Sequence, residues 1–206
     1  MNFNLLPAMD RVEKTISALK DRGVSAHLVE SKEAALKMIR TAIPSGASVM
    51  TAASVTLKQV GFEDVLKTGD HPWKNLKGEI LAEKDPAKQS VLRKQATLAD
   101  YYLGSVHAIA ETGEVVIASM SGSQISSYAY SSKNIIWVAG TQKIVPSLDD
   151  AIRRVREYVL PLEDEHMKSL GNKNGSSIGK LLIFEREAPH LRRSVTLVLI
   201  NEILGF

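Results

Sequence analysis

Apolar and polar positions follow two different periods along this chain, and the period changes at short breaks of small residues. Over residues 5–22, Leu5, Met9, Val12, Ile16 and Leu19 recur at spacings of three and four, which is one face of a helix. Gly23 is a natural stop for it. "SAHLVE" then reads as a short strand. Ser31 suits a helix cap, and Ala34, Ala35, Met38 and Ile39 make the inner face of a second helix. "IPSGA" interrupts the pattern, and "SVMTAAS" reads as a buried strand ending in small polar residues. The first 54 residues therefore predict helix, strand, helix, strand.

The middle is less regular. "VTLKQVGFEDVLKTG" predicts one or two short helices, and "DHPWKNLKGEI", near Gly69 and with Pro72 and Gly78, predicts an exposed loop. Asp85-Pro86 is a helix start, with Asp as cap and Pro at the first helical position. The pattern carries that helix to Leu103, with Val91, Leu92, Leu98, Ala99 and Tyr102 inward and Gly104 as its stop. After 105, "SVHAIA", "EVVIAS" and "NIIWVAG" are apolar nearly throughout, as strands covered on both faces should be. Ser147 caps a helix in "SLDDAIRRVREYVL", with Leu148, Ile152, Val155 and Val159 in one stripe and acids in the first turn. "NKNGSSIGK" is a flexible loop, and "KLLIFER" and "SVTLVLI" are two more strands. Strands alternating with helices, without a repeat, predict an α/β fold with a mainly parallel sheet. No linker divides the chain, so 1–206 is expected to be one domain, with helix 5–22 packing on it.

Composition narrows the function classes. A chain of 206 residues, 44% hydrophobic and 24% charged, is long enough to bury a core and ordinary for a soluble protein. No apolar run approaches the roughly 18–20 residues that span a bilayer. The N-terminus lacks a basic segment followed by an apolar one, so a cytoplasmic location without a membrane span is expected. With no cysteine, disulfides, thiolate metal sites and a cysteine nucleophile are excluded. The five histidines are scattered, so neither metal nor cofactor is expected. The net charge of +3 is small and its cations are interleaved with acids, unlike a nucleic-acid binder. Arg153, Arg154 and Arg156, beside Asp149, Asp150 and Glu157, read as a solvated helix face.

Candidate chemistry gathers around "ETGEVVIASMSGSQISS", residues 111–127, a strand-like run bracketed by small polar clusters. Ligands of open α/β sheets sit beyond the carboxyl ends of strands. The loops at 51–54, 110–113, 119–124 and 139–143 fit that position and are expected to converge on one cleft. Thr51, Ser54, Thr112, Gly113, Ser121, Gly122, Ser123, Gln124 and Lys143 are the candidate ligand-binding residues, suited to a small anionic metabolite. Glu111 is the candidate catalytic base or nucleophile, and His107 the only nearby base for Ser123. Thr112-Gly113 between two strands is equally a hairpin turn, and Ser-Gly-Ser an ordinary loop, so both readings stay open. No phosphate-loop, dinucleotide, nucleophile-elbow or zinc-protease motif occurs.

"ATLADYYLGSVHAIAETGEVV", "NIIWVAGTQKIVPSLDDAIRRV" and the closing "NEILGF" together resemble the LUD-domain family of the lactate-utilisation C type. The resemblance covers roughly residues 10–206. It rests on Asp100, Ala108–Gly113, Val138–Val145, Ala151–Val155 and Glu202–Phe206 in that order. It implies a three-layer α/β sandwich similar to the NagB/RpiA/CoA-transferase superfamily. It also implies a link to lactate oxidation beside iron–sulfur oxidoreductase subunits, either as a ligand-binding or catalytic subunit or as an accessory one. A homodimer and turnover both stay open. Superfamily relatives that transfer CoA use a glutamate in a setting like Glu111-Thr112-Gly113. Two departures stand out. Gly122-Ser123-Gln124 replaces the Gly-Asn-Arg common in relatives, and residues 161–180 lack the cysteine cluster that some carry.

Overall fold

The computed structural model describes residues 2–206. The chain opens with α1 (Met9–Asp21), β1 (Ser25–Val29), α2 (Lys32–Ala42), β2 (Ser48–Thr51), α3 (Val55–Gln59) and α4 (Phe62–Thr68). It continues through β3 (Lys74–Asn75), α5 (Leu76–Ala82), α6 (Pro86–Gln95), β4 (Tyr101–Gly104), β5 (Ala108–Ala110) and β6 (Val115–Ser119). Then come α7 (Ser123–Ser126), β7 (Asn134–Gly140), β8 (Ile144–Val145), α8 (Leu148–Arg154), α9 (Leu160–Ser169), β9 (Lys180–Phe184) and β10 (Ser194–Ile200).

Six strands form one wholly parallel sheet in the order β1-β10-β7-β4-β2-β3. Its central strands are buried on both faces, which is why they read as unbroken apolar runs. Alternate residues face opposite ways. Ile136, Val138, Val198 and Ile200 pack under α2, α3 and α4 with Ile39, Leu57 and Phe62. Ile135, Trp137, Leu197 and Leu199 face Val12 and Leu19 of α1 and Ile109, Val115 and Ile117 of a second sheet. The arrangement is consistent with a three-layer sandwich.

The second sheet is the main feature that periodicity did not reveal. Its order is β8-β5-β6-β9, with β5-β6 and β6-β9 antiparallel. One face packs on the large sheet, and the other, through Ala108, Val116 and Val145, packs on Ala151 and Val155. Both faces are therefore apolar, and β5 and β6 look like parallel strands in the sequence although they form a hairpin.

Three further boundaries differ from expectation. The first helix starts at Met9, because Pro7 and extended Ala8 precede it. Leu5 and Met9 are exposed, and its buried face is Val12, Thr15 and Leu19. The segment at 70–80 is not an exposed loop. Trp73 is buried and donates from Nε1 to the Ile43 carbonyl at 3.1 Å, β3 joins the sheet edge, and Asn75 caps α5. The helix from Pro86 ends at Gln95 and leaves Val91 and Leu98 exposed, while Tyr101–Gly104 becomes a central strand. Asp100 sets that change: its carboxylate accepts from Ser48 N–H (2.9 Å) and Ser48 Oγ (2.7 Å), which aligns β4 with β2.

The helix from Ser147 is longer than predicted. It runs through a π turn at Val155–Val159 into α9, where Pro161 cannot donate to the ladder. A second π turn, Ser127–Ser131, is held by Arg193. That guanidinium donates to the carbonyls of Ser127, Tyr128, Ala129 and Ser132 at 2.9–3.0 Å and pairs with Glu187 at 3.1 Å.

Candidate functional site

Parallel strands place their carboxyl ends on one edge of the sheet, and a cavity of about 390 Å³ lies there. Residues following β2, β4 and β7 line it, together with the end of β6, α9 and the last two residues of the chain. Its size falls within the range of small-molecule sites.

Lys143 is the most unusual group on its wall. It ends a single 3₁₀ turn, Thr141–Lys143, directly after β7. The residue is only 2% exposed. Its Nζ contacts Ser105 Oγ and the Val106 carbonyl at 3.0 Å each, and Thr56 Oγ1 at 3.3 Å. All three partners are neutral. Burial pushes the Lys143 amine well below the ordinary lysine range, and Arg154 adds to the shift.

Arg154 lies behind this wall and is fully buried. It donates to the carbonyls of His107 and Phe3 and stacks over Tyr158, 5.1 Å from the ring centroid. Burial lowers its pKa to about 10, against a smaller opposing effect of Tyr158. Its Nε has no partner among the described residues. The expected solvated face is thus corrected for this residue. One turn of the helix points Arg154 into the core while Arg153 and Arg156 face water. Among the described residues, no carboxylate stands within ion-pair distance of Lys143 or Arg154.

His107 is half-buried on the cavity wall, and its Nδ1 accepts from the Ala118 N–H at 3.2 Å. Nδ1 is therefore unprotonated and Nε2 carries the hydrogen. Burial, with Lys143 and Arg154 nearby, lowers the His107 pKa to about 3. The imidazole is a neutral donor throughout the physiological range. Glu163 of α9 is the acid that faces the cavity beside Lys77 and Arg93, and burial raises its pKa. Lys77 is already paired with Glu63 at 3.3 Å. Thr51 is 2% exposed, lines the cavity, and has an Oγ1 with no hydrogen-bond partner among the described residues. No group of three or more His, Asp or Glu among the described residues could hold a metal ion.

Of the residues expected to form a site, Thr51, Ser54, Ser121, Ser123, Gln124 and Lys143 line this cavity. Ser54 also caps α3, and the Gln124 amide donates to the Ala118 carbonyl at 3.1 Å. Gly122, at φ +86°, caps α7 and packs against Lys180 rather than lining the cavity. Glu111, Thr112 and Gly113 lie elsewhere, so the four loops do not all converge. They form the β5-β6 turn, at the opposite end of β6 from Ser119–Gln124. Gly113 has φ +95°, and a Cβ there would come within 2.8 Å of the Ala18 backbone. The Glu111 carboxylate is held by Arg11 and, at 3.4 Å, by Lys14 of α1. Thr56, Ser105, Arg154 and Glu163 were not anticipated, and nothing in their local sequence marks them.

Gly205 and Phe206 form part of the cavity wall. The Leu204 carbonyl accepts from Gln142 Nε2 at 2.8 Å, and the Gly205 N–H donates to Gln59 Oε1 at 2.7 Å. Gly205 sits at φ +62°, so close to Thr56 and Lys143 that no side chain would fit.

A family model for the LUD domain matches residues 12–174. No curated protein matches the chain. Among solved structures, the chain is similar to a DUF162 family protein from Deinococcus radiodurans. The identity is 11%, the match covers 95% of this chain and 98% of that one, and the TM-score is 0.47.

Proposed function

The chain belongs to the LUD-domain family, and from that premise we propose that it binds a small anionic metabolite in the strand-end cavity. One observation carries the reading. Two buried basic side chains, Lys143 on the wall and Arg154 behind it, have only neutral partners. Arg154 keeps its charge there and Lys143 can hold a proton only at a cost, so an entering carboxylate or phosphate would supply the missing counter-charge. The unpartnered hydroxyl of Thr51 and the hydroxyls of Ser54, Ser121 and Ser123 offer further hydrogen bonds on the same wall. Small carboxylates of lactate metabolism are the substrate range that the family resemblance favours. Gly122-Ser123-Gln124 contributes no cation of its own, so charge on the cavity wall comes from Lys143, Lys77 and Arg93.

Thermal-shift titration with lactate, pyruvate, acetyl-CoA and sugar phosphates tests this. Ligand at a hundredfold its Kd adds about 2.7 kcal/mol. For a domain of this size that is a rise of roughly 5–10 °C in Tm. Lys143→Met should abolish the response. If no anion shifts the melting of the unaltered protein, the cavity is not an anion site, and an accessory role without ligand becomes the better account.

A further inference from the structure

We propose that the Lys143 amine condenses with the carbonyl group of a small anionic aldehyde or ketone in this cavity, a step that rests on the anion-binding reading and adds covalent chemistry to it. The geometry supplies four supports. Lys143 is buried yet lines a cavity large enough for a metabolite. Its partners are two hydroxyls and one carbonyl, so no carboxylate holds it as an ammonium ion. Arg154, close by and also without an acid, keeps its proton because guanidinium is not deprotonated in proteins. Two uncompensated cations in one water-poor region are unfavourable, and the amine is the group that yields its proton. Ser105 Oγ, 3.0 Å from Nζ, is placed to relay protons.

The charged and titratable groups that face the cavity beside Lys143 are His107, Lys77, Arg93 and Glu163. His107 is a neutral donor and Lys77 is paired with Glu63, so neither supplies a negative charge to the amine. Desolvation acts on Lys143 in the same direction as the geometry.

The step balances without any oxidant or reductant. The Nζ lone pair attacks the carbonyl carbon, and the C=O π pair moves to oxygen. One N–H proton passes to that oxygen through Ser105, which gives a carbinolamine. Nitrogen then expels the hydroxyl, which takes a proton from solvent and leaves as water, so that nitrogen keeps its last hydrogen and a protonated C=N bond remains. A protonated imine restores a cation at the buried nitrogen. The anionic group of the ligand compensates it, which is why a carbonyl compound with a carboxylate or phosphate is the class that fits.

The purified full-length chain is incubated with pyruvate, glyoxylate or glyceraldehyde 3-phosphate, and sodium borohydride is added. Reduction converts an imine to a stable secondary amine, read by intact mass and peptide mapping. One adduct per chain on Lys143 is expected, saturating with ligand and suppressed by excess lactate, an anion without the reactive carbonyl. Lys143→Arg should lose the adduct. The unaltered protein decides the matter even if that variant misfolds. Carbonyl anions that raise Tm but leave Lys143 unmodified would overturn the covalent step and leave anion binding standing. Modification spread over surface lysines, with no thermal shift, would overturn both.

Discussion

Glu111→Gln separates a structural turn from a catalytic one. The Glu111 side chain is 11% exposed and accepts from Arg11 through both Nε and Nη2, with Lys14 as a third partner at 3.4 Å. Arg11 and Lys14 are 38% and 66% exposed, so solvent screens both pairs. The Lys14 contact is worth at most a few tenths of a kcal/mol. The charge-assisted Arg11 pair contributes about 1 kcal/mol after screening. Glutamine keeps the shape and one acceptor but loses the charge, so a net loss of about 1 kcal/mol is expected. For a domain of this size that lowers Tm by roughly 2–4 °C. Ligand-induced stabilisation should be unchanged, because the turn lies away from the cavity. Arg11→Met should cost a similar amount, and the double variant should fall short of the sum, since both remove one interaction. An unaltered Tm with a lost ligand response would refute this and return Glu111 to the binding site.

The other predictions concern the cavity and its supports. The His107 pKa is about 3 in the fold and near 6.5 when unfolded, so below about pH 6.5 the unfolded chain binds more protons. Stability is then full above that pH and falls as pH drops toward 3. The loss from this one group is about 2 kcal/mol at pH 5, and urea unfolding of His107→Gln should lack that component. Arg193→Met should destabilise by about 3–5 kcal/mol, since it orphans four carbonyls and the buried Glu187. An effect below about 1 kcal/mol would show that water replaces the guanidinium. Gly140→Ala would drive a Cβ into the Glu202 carbonyl and to 2.9 Å from Leu204 N. A cost of about 1–3 kcal/mol and faster proteolysis of residues 201–206 are expected, and an unchanged digestion pattern would contradict the packing.

Local signals in the sequence located most elements but not their partners. Ser31, Asp85 and Ser147 each cap the helix expected of them, because capping depends on a few neighbouring residues. Residues 101–103 read as helix because Leu98, Ala99 and Tyr102 keep helical spacing, while the strand is imposed by Asp100 pairing with Ser48 across the sheet. β5 and β6 were legible as strands. That they leave the parallel sheet was not, since burial on both faces erases the alternation that marks a hairpin. The candidate site divides in the same way. Strand-end loops pointed to Thr51, Ser121 and Lys143, but Glu111 was drawn in by its nearness in sequence to the wrong end of β6. Arg154 looked solvated among its charged neighbours, and only the packing of its helix shows it facing inward.

The place of β10 bears on how the chain is made. It lies between β1 and β7, which have no other link within the sheet. Residues 25–29 and 134–140 emerge from the ribosome well before residues 194–200. A nascent chain therefore carries two unpaired parallel edges until its last strand arrives. Such edges are templates for pairing with other chains, and closure across so long a separation is slow. A stalled or truncated product that ends before Ser194 would leave both edges open. The interval between synthesis of β7 and of β10, rather than the stability of the finished fold, is then the period in which such pairing is open.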